Sequence, residues 1–203
     1  MAPPKKHRKS PELAGDGPRR DLLVAAYELI AHKGFEGLRT RDIVARARVN
    51  ISTLHYHFGT KEALLEAVVL FVAEKFAGEG GALAQTAPDP TVRGHFERTV
   101  VTFRRNPELA IVLQELALRA QRDAATRTAF RPILAFWNLT VTESVRAEVR
   151  AGTLPPGGDP EELALVITSF IMGAMTQRGV NPKALDFEAL SRRFSQLIAD
   201  NRR

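Results

Sequence analysis

Apolar residues recur every three or four positions along most of this chain, the period of an α-helix with one face turned to a core. Leu22, Leu23, Ala26, Leu29 and Ile30 share one such face and predict a first helix over residues 19–31. Leu109, Val112, Leu113, Leu116 and Ala117 predict another, and Leu134, Trp137, Val141 and Val145 a third. Phe187, Leu190, Phe194, Leu197 and Ile198 predict the last. Apolar–polar alternation bounded by hairpin turns, the mark of a strand, is nearly absent. The pattern predicts an all-α fold.

Polar residues punctuate this pattern. Asn or Asp followed by Pro stands at Asp89-Pro90, Asn106-Pro107, Asp159-Pro160 and Asn181-Pro182. The polar side chain accepts a bond from a free backbone N–H at a helix start, and proline at the first helical position lacks only a donor that has no use there. Glu108, Glu161 and Glu162 then place negative charge where the helix dipole favours it. Gly34 predicts a helix end. Breaks fall at residues 78–89 and 152–159, and Pro132 predicts a kink or a new start. The longest apolar run, residues 163–175, falls short of the roughly 20 residues of a membrane span and contains Thr168, Ser169 and Gly173. It reads as a helix buried on most sides.

Between residues 40 and 58 the elements become short. Residues 40–47 predict one helix, Arg48 and Val49 a tight turn, and residues 51–57 a second helix capped by Asn50. Two short helices joined this way form a helix-turn-helix, whose second helix enters the major groove of DNA. That helix gathers His55, Tyr56, His57 and Phe58. Its histidines are two apart and point to different faces, which suits hydrogen bonds to nucleic acid better than a shared metal ion. Leu54 and Phe58, four apart, predict its anchor to the core. The chain has no cysteine, which excludes disulfides and thiolate metal sites and fits a cytoplasmic protein. No metal or cofactor is expected.

Charge changes this picture little. The net charge is +6, but +4 of it lies in the first 20 residues. Residues 21–66 hold six basic and six acidic side chains, so DNA binding there depends on placement. Residues 1–17, rich in Pro, Lys and Gly, predict a disordered basic tail. Its Lys5 to Lys9 stretch reads either as an arm along the DNA backbone or minor groove, or as a solvated tail. No apolar run follows these charges, so the tail is no secretory signal. Catalysis finds no support. "GEGG" at Gly78 to Gly81 follows a helix instead of opening one after a strand, and no nucleophile–base set or zinc spacing is visible.

The stretch "GFEGLRTRDIVARARVNISTLHYHFGTKEALLEAV", Gly34 to Val68, resembles the TetR family of transcriptional regulators. Gly34-Phe35, Ile43, Val49, Thr53-Leu54, Tyr56, His57-Phe58, Lys61 and Leu64-Leu65 fall in register with that family's pattern. Two positions depart from it: Arg48 replaces the usual turn glycine, and His55 a usual aromatic. The resemblance implies base contacts by Arg41, Ile51, Ser52 and His55, with Ile51 against a thymine methyl. It implies phosphate contacts by Thr40, Thr53, Tyr56, His57 and Lys61. Arg48, a departure from the pattern, costs about 1 kcal/mol if the turn needs a positive φ, and reach to a phosphate would explain its tolerance there.

The resemblance also implies three regions: the tail at 1–17, a helix-turn-helix domain at 18–66, and a helical effector-binding and dimerisation domain at 67–203. Its last two helices, residues 161–177 and 183–199, would pair with their copies in a homodimer. Ile167, Phe170, Ile171, Ala174 and Met175 form a broad apolar face, and Gly173 permits close approach. Ile167, Phe170, Ile171 and Ala174, with Phe187 and Phe194, make the expected dimer interface. Two copies place their reading helices about 34 Å or more apart on a near-palindromic operator. Phe96, Phe103, Leu113, Leu116, Leu134, Trp137, Val141 and Met172 are candidate walls of an apolar pocket, with Asn138, Gln114, Glu115 and His95 as polar contacts. The competing readings are plain core packing for the aromatics, Trp137 included, and a surface or helix-start place for His95. The expected function is a repressor released from its operator by a small apolar or amphipathic ligand. The alternatives are a regulator of the same fold without such a ligand, including an activator, and, remotely, an enzyme.

Overall fold

The computed structural model describes residues 17–78, 89–154, 158–183 and 186–200. The predicted tail before residue 17, the "GEGG" stretch beyond Gly78 and the side chains of Leu197 and Ile198 lie outside these. Among the described residues the secondary structure is helical throughout, with no strand. The chain divides into two compact units, the first ending at Leu64 and the second beginning at Leu65.

The first unit holds α1 (Pro18–Lys33), α2 (Thr40–Ala47), α3 (Ile51–Phe58) and the first turn of α4 (Lys61–Ala77). All five residues expected to face inward from α1 are buried. Gly34 closes α1 with φ 66° as its N–H bonds Ile30 O, a backbone shape that only glycine adopts without strain. Ile43, Leu54 and Phe58 complete the core from α2 and α3, each contributing about 1.5–3 kcal/mol by burial. Lys33 Nζ meets Asp42 Oδ2 at 3.1 Å and Arg46 Nε meets Glu28 Oε2 at 2.5 Å, which ties α2 to α1. The Arg19 guanidinium lies 5.3 Å over the Phe58 ring.

The second unit holds the rest of α4, then α5 (Val92–Arg105), α6 (Pro107–Ala120), α7 (Ala124–Arg150), α8 (Pro160–Val180) and α9 (Phe187–Asp200). α6 and α8 open at the expected Asn-Pro and Asp-Pro pairs, and Asp159 Oδ1 accepts from Glu161 N at 2.9 Å. The other two pairs do not open helices. Thr91 caps α5, its side chain accepting from Gly94 N, while Asp89 braces Thr91 itself through a 2.9 Å bond from Thr91 N. Asn181 closes α8 instead, and α9 begins after Asp186, whose side chain accepts from Glu188 N at 2.9 Å. α7 runs through Pro132, where the ring removes one donor from the helix ladder.

Two aromatic clusters organise the second unit. Phe96 packs against Phe170, Phe187 and Phe194, and the last of these stacks on Phe170 at 4.1 Å, joining α5, α8 and α9. Phe76 stacks on Phe103 at 5.9 Å and meets Trp137 edge-on at 5.1 Å.

This packing buries most of the expected dimer surface inside one protomer. Ile167, Ile171, Ala174, Phe187 and Phe194 are buried within the protomer, and Phe170 is half-buried on Phe194. α8 buries one face on the protomer core and leaves Leu165, Val166, Ser169, Gly173 and Thr176 open. By length and a mean hydropathy of 1.3 it is apolar enough to cross a membrane, yet only 33% of that stretch is buried. Leu165 is 52% and Val166 57% exposed. A methyl group built on Gly173 meets nothing within 4 Å.

Candidate nucleic-acid interface and effector groove

α3 is placed by its cap and its anchor. Asn50 Oδ1 accepts from Thr53 N at 2.8 Å, which starts the helix, while Leu54 and Phe58 hold its inner face. Ile51, Ser52, His55 and Tyr56, at i, i+1, i+4 and i+5, therefore share the outer face. Tyr56 is 85% and Ile51 46% exposed. Ser52 and His55 are exposed as well. His57 lies on the flank, half-buried, with its ring 5.1 Å from that of Tyr56. Thr53 is the exception. Its hydroxyl donates to Asn50 Oδ1 at 2.9 Å and so belongs to the cap of the helix in the free protein.

The flanking cations are sorted by their partners. Arg41 is exposed, its Nε 3.7 Å from Asp42 Oδ1. Thr40 is the half-buried first residue of α2, and Arg48 is exposed in the turn after it. Lys61, exposed, opens α4 next to Thr60, whose hydroxyl accepts from Ala63 N at 3.1 Å. The sequence reading missed Arg39. It is exposed at the start of α2 and forms no ion pair, and only the commitment of nearby carboxylates to Lys33 and Arg46 makes that visible.

In the second unit a groove of about 450 Å³ runs between α6, α7 and α8. Leu113, Leu134, Trp137 and Met172 line it, with Gln114 and Glu115 beside them. Ile111, Leu118, Phe130, Ile133 and Thr176, which the sequence reading did not single out, join them, as does Met175, expected on the apolar face of α8. Ile111 and Leu118, seven apart and exposed on α6, were the available signal. The other candidates lie elsewhere. Phe96 and Phe103 belong to the two aromatic clusters, and Leu116 and Val141 are fully buried core residues. Asn138 Oδ1 accepts from Thr168 at 2.7 Å, linking α7 to α8.

His95 is not a surface residue. It is wholly buried, and Trp137 Nε1–H donates to its Nε2 at 2.8 Å. The bond fixes the neutral tautomer with the proton on Nδ1, an atom with no hydrogen-bond partner among the described residues. Burial, and secondarily the Arg98 guanidinium, lowers the imidazole pKa from 6.5 to about 3. Trp137 thus serves both as groove wall and as core packing. Among the described residues no cluster of three His, Cys, Asp or Glu side chains could hold a metal.

Known proteins match both units. The description "Bacterial regulatory proteins, tetR family" matches residues 22–68, and "BetI-type transcriptional repressor, C-terminal" matches residues 88–202. The HTH-type transcriptional dual regulator CecR of Shigella flexneri is 30% identical over 111 residues, 55% of this chain. The match spans 44% of that protein, so the chain covers less than half the length of this curated relative. Among solved structures, a putative regulator from Saccharomonospora viridis in complex with choline is 21% identical with a TM-score of 0.71, covering 89% of this chain and 94% of that one. The regulator FadR of Bacillus subtilis, in complex with stearoyl-CoA, is 21% identical with a TM-score of 0.68 over 88% and 96% of the two chains. These two share the fold. With both family descriptions in place over the helix-turn-helix and the helical unit that follows, the chain belongs to the TetR family of DNA-binding transcriptional regulators.

Proposed function

We propose that this regulator is a repressor that grips a near-palindromic operator as a homodimer and leaves it when a small apolar or amphipathic molecule binds. The outer face of α3 carries the reading: Ile51, Ser52, His55 and Tyr56 stand out from a helix that Leu54 and Phe58 lock in place. Arg41, Ile51, Ser52 and His55 are the proposed base readers. Thr40, Arg48, Thr53, Tyr56, His57 and Lys61 are the proposed phosphate holders, with Arg39 added.

The groove between α6, α7 and α8 is the proposed effector site. Ligands named in the solved relatives, choline and stearoyl-CoA, support a small-molecule role without setting its chemistry. α4 begins in the first unit and continues into the second, which gives a ligand a path to the reading helices. To empty an occupied operator the ligand must prefer the released state by about 10⁴-fold.

Gel shifts with a selected operator and a scrambled duplex test the readers against the holders. Tyr56→Ala is expected to weaken both complexes alike, by about 1–3 kcal/mol, whereas Arg41→Ala and His55→Ala also relax preference at one base pair. Equal losses on both duplexes for all three variants overturn the division. Trp137 is the only tryptophan, so its emission reports the groove directly. An effector from a small-molecule screen is expected to shift that emission at the concentration that releases DNA. Release with unchanged emission places the effector elsewhere.

A further inference from the structure

We propose that Arg48 is held in a left-handed turn because its guanidinium clamps a DNA phosphate, so that this turn gives up fold stability for affinity. The inference rests on the DNA-binding reading of the first unit and deepens it, because the left-handed backbone observed at Arg48 turns a conditional cost into a trade of stability for affinity at one residue.

Arg48 has φ 58° and ψ 39°, the only positive φ at a non-glycine among the described residues. Its conformation is fixed by the fold. Arg48 N bonds Ala45 O at 3.3 Å and Val49 N bonds Val44 O at 3.1 Å, which closes α2 and sets the entry to α3. An L-residue with a long side chain is strained there, because Cβ crowds the carbonyl oxygen. Glycine and asparagine fill such positions at little cost.

Nothing inside the unit repays this strain. The Arg48 side chain is exposed and makes no ion pair or hydrogen bond among the described residues. Its neighbours are spent differently. Arg46 is bound to Glu28, Lys33 to Asp42, and Arg41 lies beside Asp42. Arg39 and Lys61 are also unpaired, but they sit where any polar residue is at ease. Residues 21–66 carry no net charge, so the charged share of phosphate binding there falls to such uncommitted cations. Arg48 stands two residues before the Asn50 cap, beside the helix end that carries Ile51 and Ser52. A guanidinium at that end meets the sugar–phosphate strand bordering the major groove, where its fork matches two phosphate oxygens. The clamp adds affinity without reading sequence. An unrewarded, strained conformer next to a binding face is where a functional constraint is expected.

The test uses the full-length chain, a duplex selected from a random pool by the natural protein, and an unrelated duplex. Arg48→Gly and Arg48→Asn relax the backbone and remove the charge, whereas Arg48→Lys keeps both strain and charge. Denaturation should show Arg48→Asn about threefold or more favoured toward the folded state, with glycine gaining less because it loosens the unfolded chain. Both should bind the two duplexes more weakly by similar factors. Their plot of log K against log salt, from about 50 to about 200 mM, should be shallower by about 0.9 for each phosphate that is no longer neutralised. Arg48→Lys should keep the natural slope and the lower stability. An unchanged slope in Arg48→Gly, or a lysine variant that behaves like glycine, overturns the clamp while leaving the DNA-binding reading intact. A natural protein that binds no duplex at low salt overturns both.

Discussion

Gly173→Gln is expected to leave the protomer folded, make it monomeric, and remove most of its operator affinity. Glycine inside a helix costs about 0.5–1 kcal/mol relative to a good helix former, and a side chain at this position meets nothing within 4 Å. Taken alone, the substitution stabilises α8. Its cost falls on whatever packs over the open face made by Leu165, Val166, Ser169 and Gly173. In the proposed homodimer a second copy of α8 approaches there, close because the side chain is missing, and glutamine would hold it off. Once the two reading helices are no longer linked, each binds its half-site alone, and the loss of linkage is worth about 10²–10⁴-fold. Val166→Arg should act the same way by placing an unpaired charge on the same face. Sedimentation and gel shifts on the two variants read mass and affinity together. A Gly173→Gln protein that stays dimeric with full affinity moves the partner to another surface. Ile167 or Ile171 would make poor probes, because truncating so buried a residue costs about 2–5 kcal/mol of the protomer itself.

The contrast between Gly173 and Ile167 shows where the sequence stopped being informative. The period of three and four was legible because it is local, and so was the short pair α2 and α3, bounded by Thr40 and by Asn50. α8 is apolar over more than half its circumference. Which of its apolar residues turn inward is decided by α7 and the aromatic cluster of Phe96, Phe170 and Phe194, and no window on α8 contains that information. The Asn/Asp-Pro starts show the same limit. Four pairs look alike, yet Thr91 and Asp186 compete as caps at two of them and win by a few residues. On the reading helix the exposed face was legible from Leu54 and Phe58 alone. The diversion of Thr53 into the Asn50 cap was not, because it turns on the direction of one hydroxyl proton. His95 was misplaced because its partner, Trp137, lies 42 residues away.

That buried pair carries the second large effect. Stability of the second unit is expected to fall steeply as pH drops below about 6.5, and His95→Gln is expected to flatten the fall. In the folded chain the His95 imidazole stays neutral down to about pH 3, because burial penalises its charged form and Arg98 opposes a second cation. In the unfolded chain it takes up a proton near its ordinary pKa of about 6.5. Between those values unfolding binds one proton, so acid favours the unfolded state by about 1.4 kcal/mol per pH unit. From pH 6.5 to 4.5 this amounts to roughly 2–3 kcal/mol. Above pH 7.5 both states hold the same proton count at this site and the term vanishes. Glutamine cannot titrate, and its carbonyl oxygen offers the Trp137 N–H an acceptor in place of Nε2. Denaturant titrations followed by Trp137 emission isolate the unit, and the difference between the two proteins cancels carboxylates and the exposed histidines. If the stabilities of natural and His95→Gln proteins run parallel from pH 7.5 to 4.5, His95 is not held neutral, and the bond from Trp137 to its Nε2 cannot persist in solution.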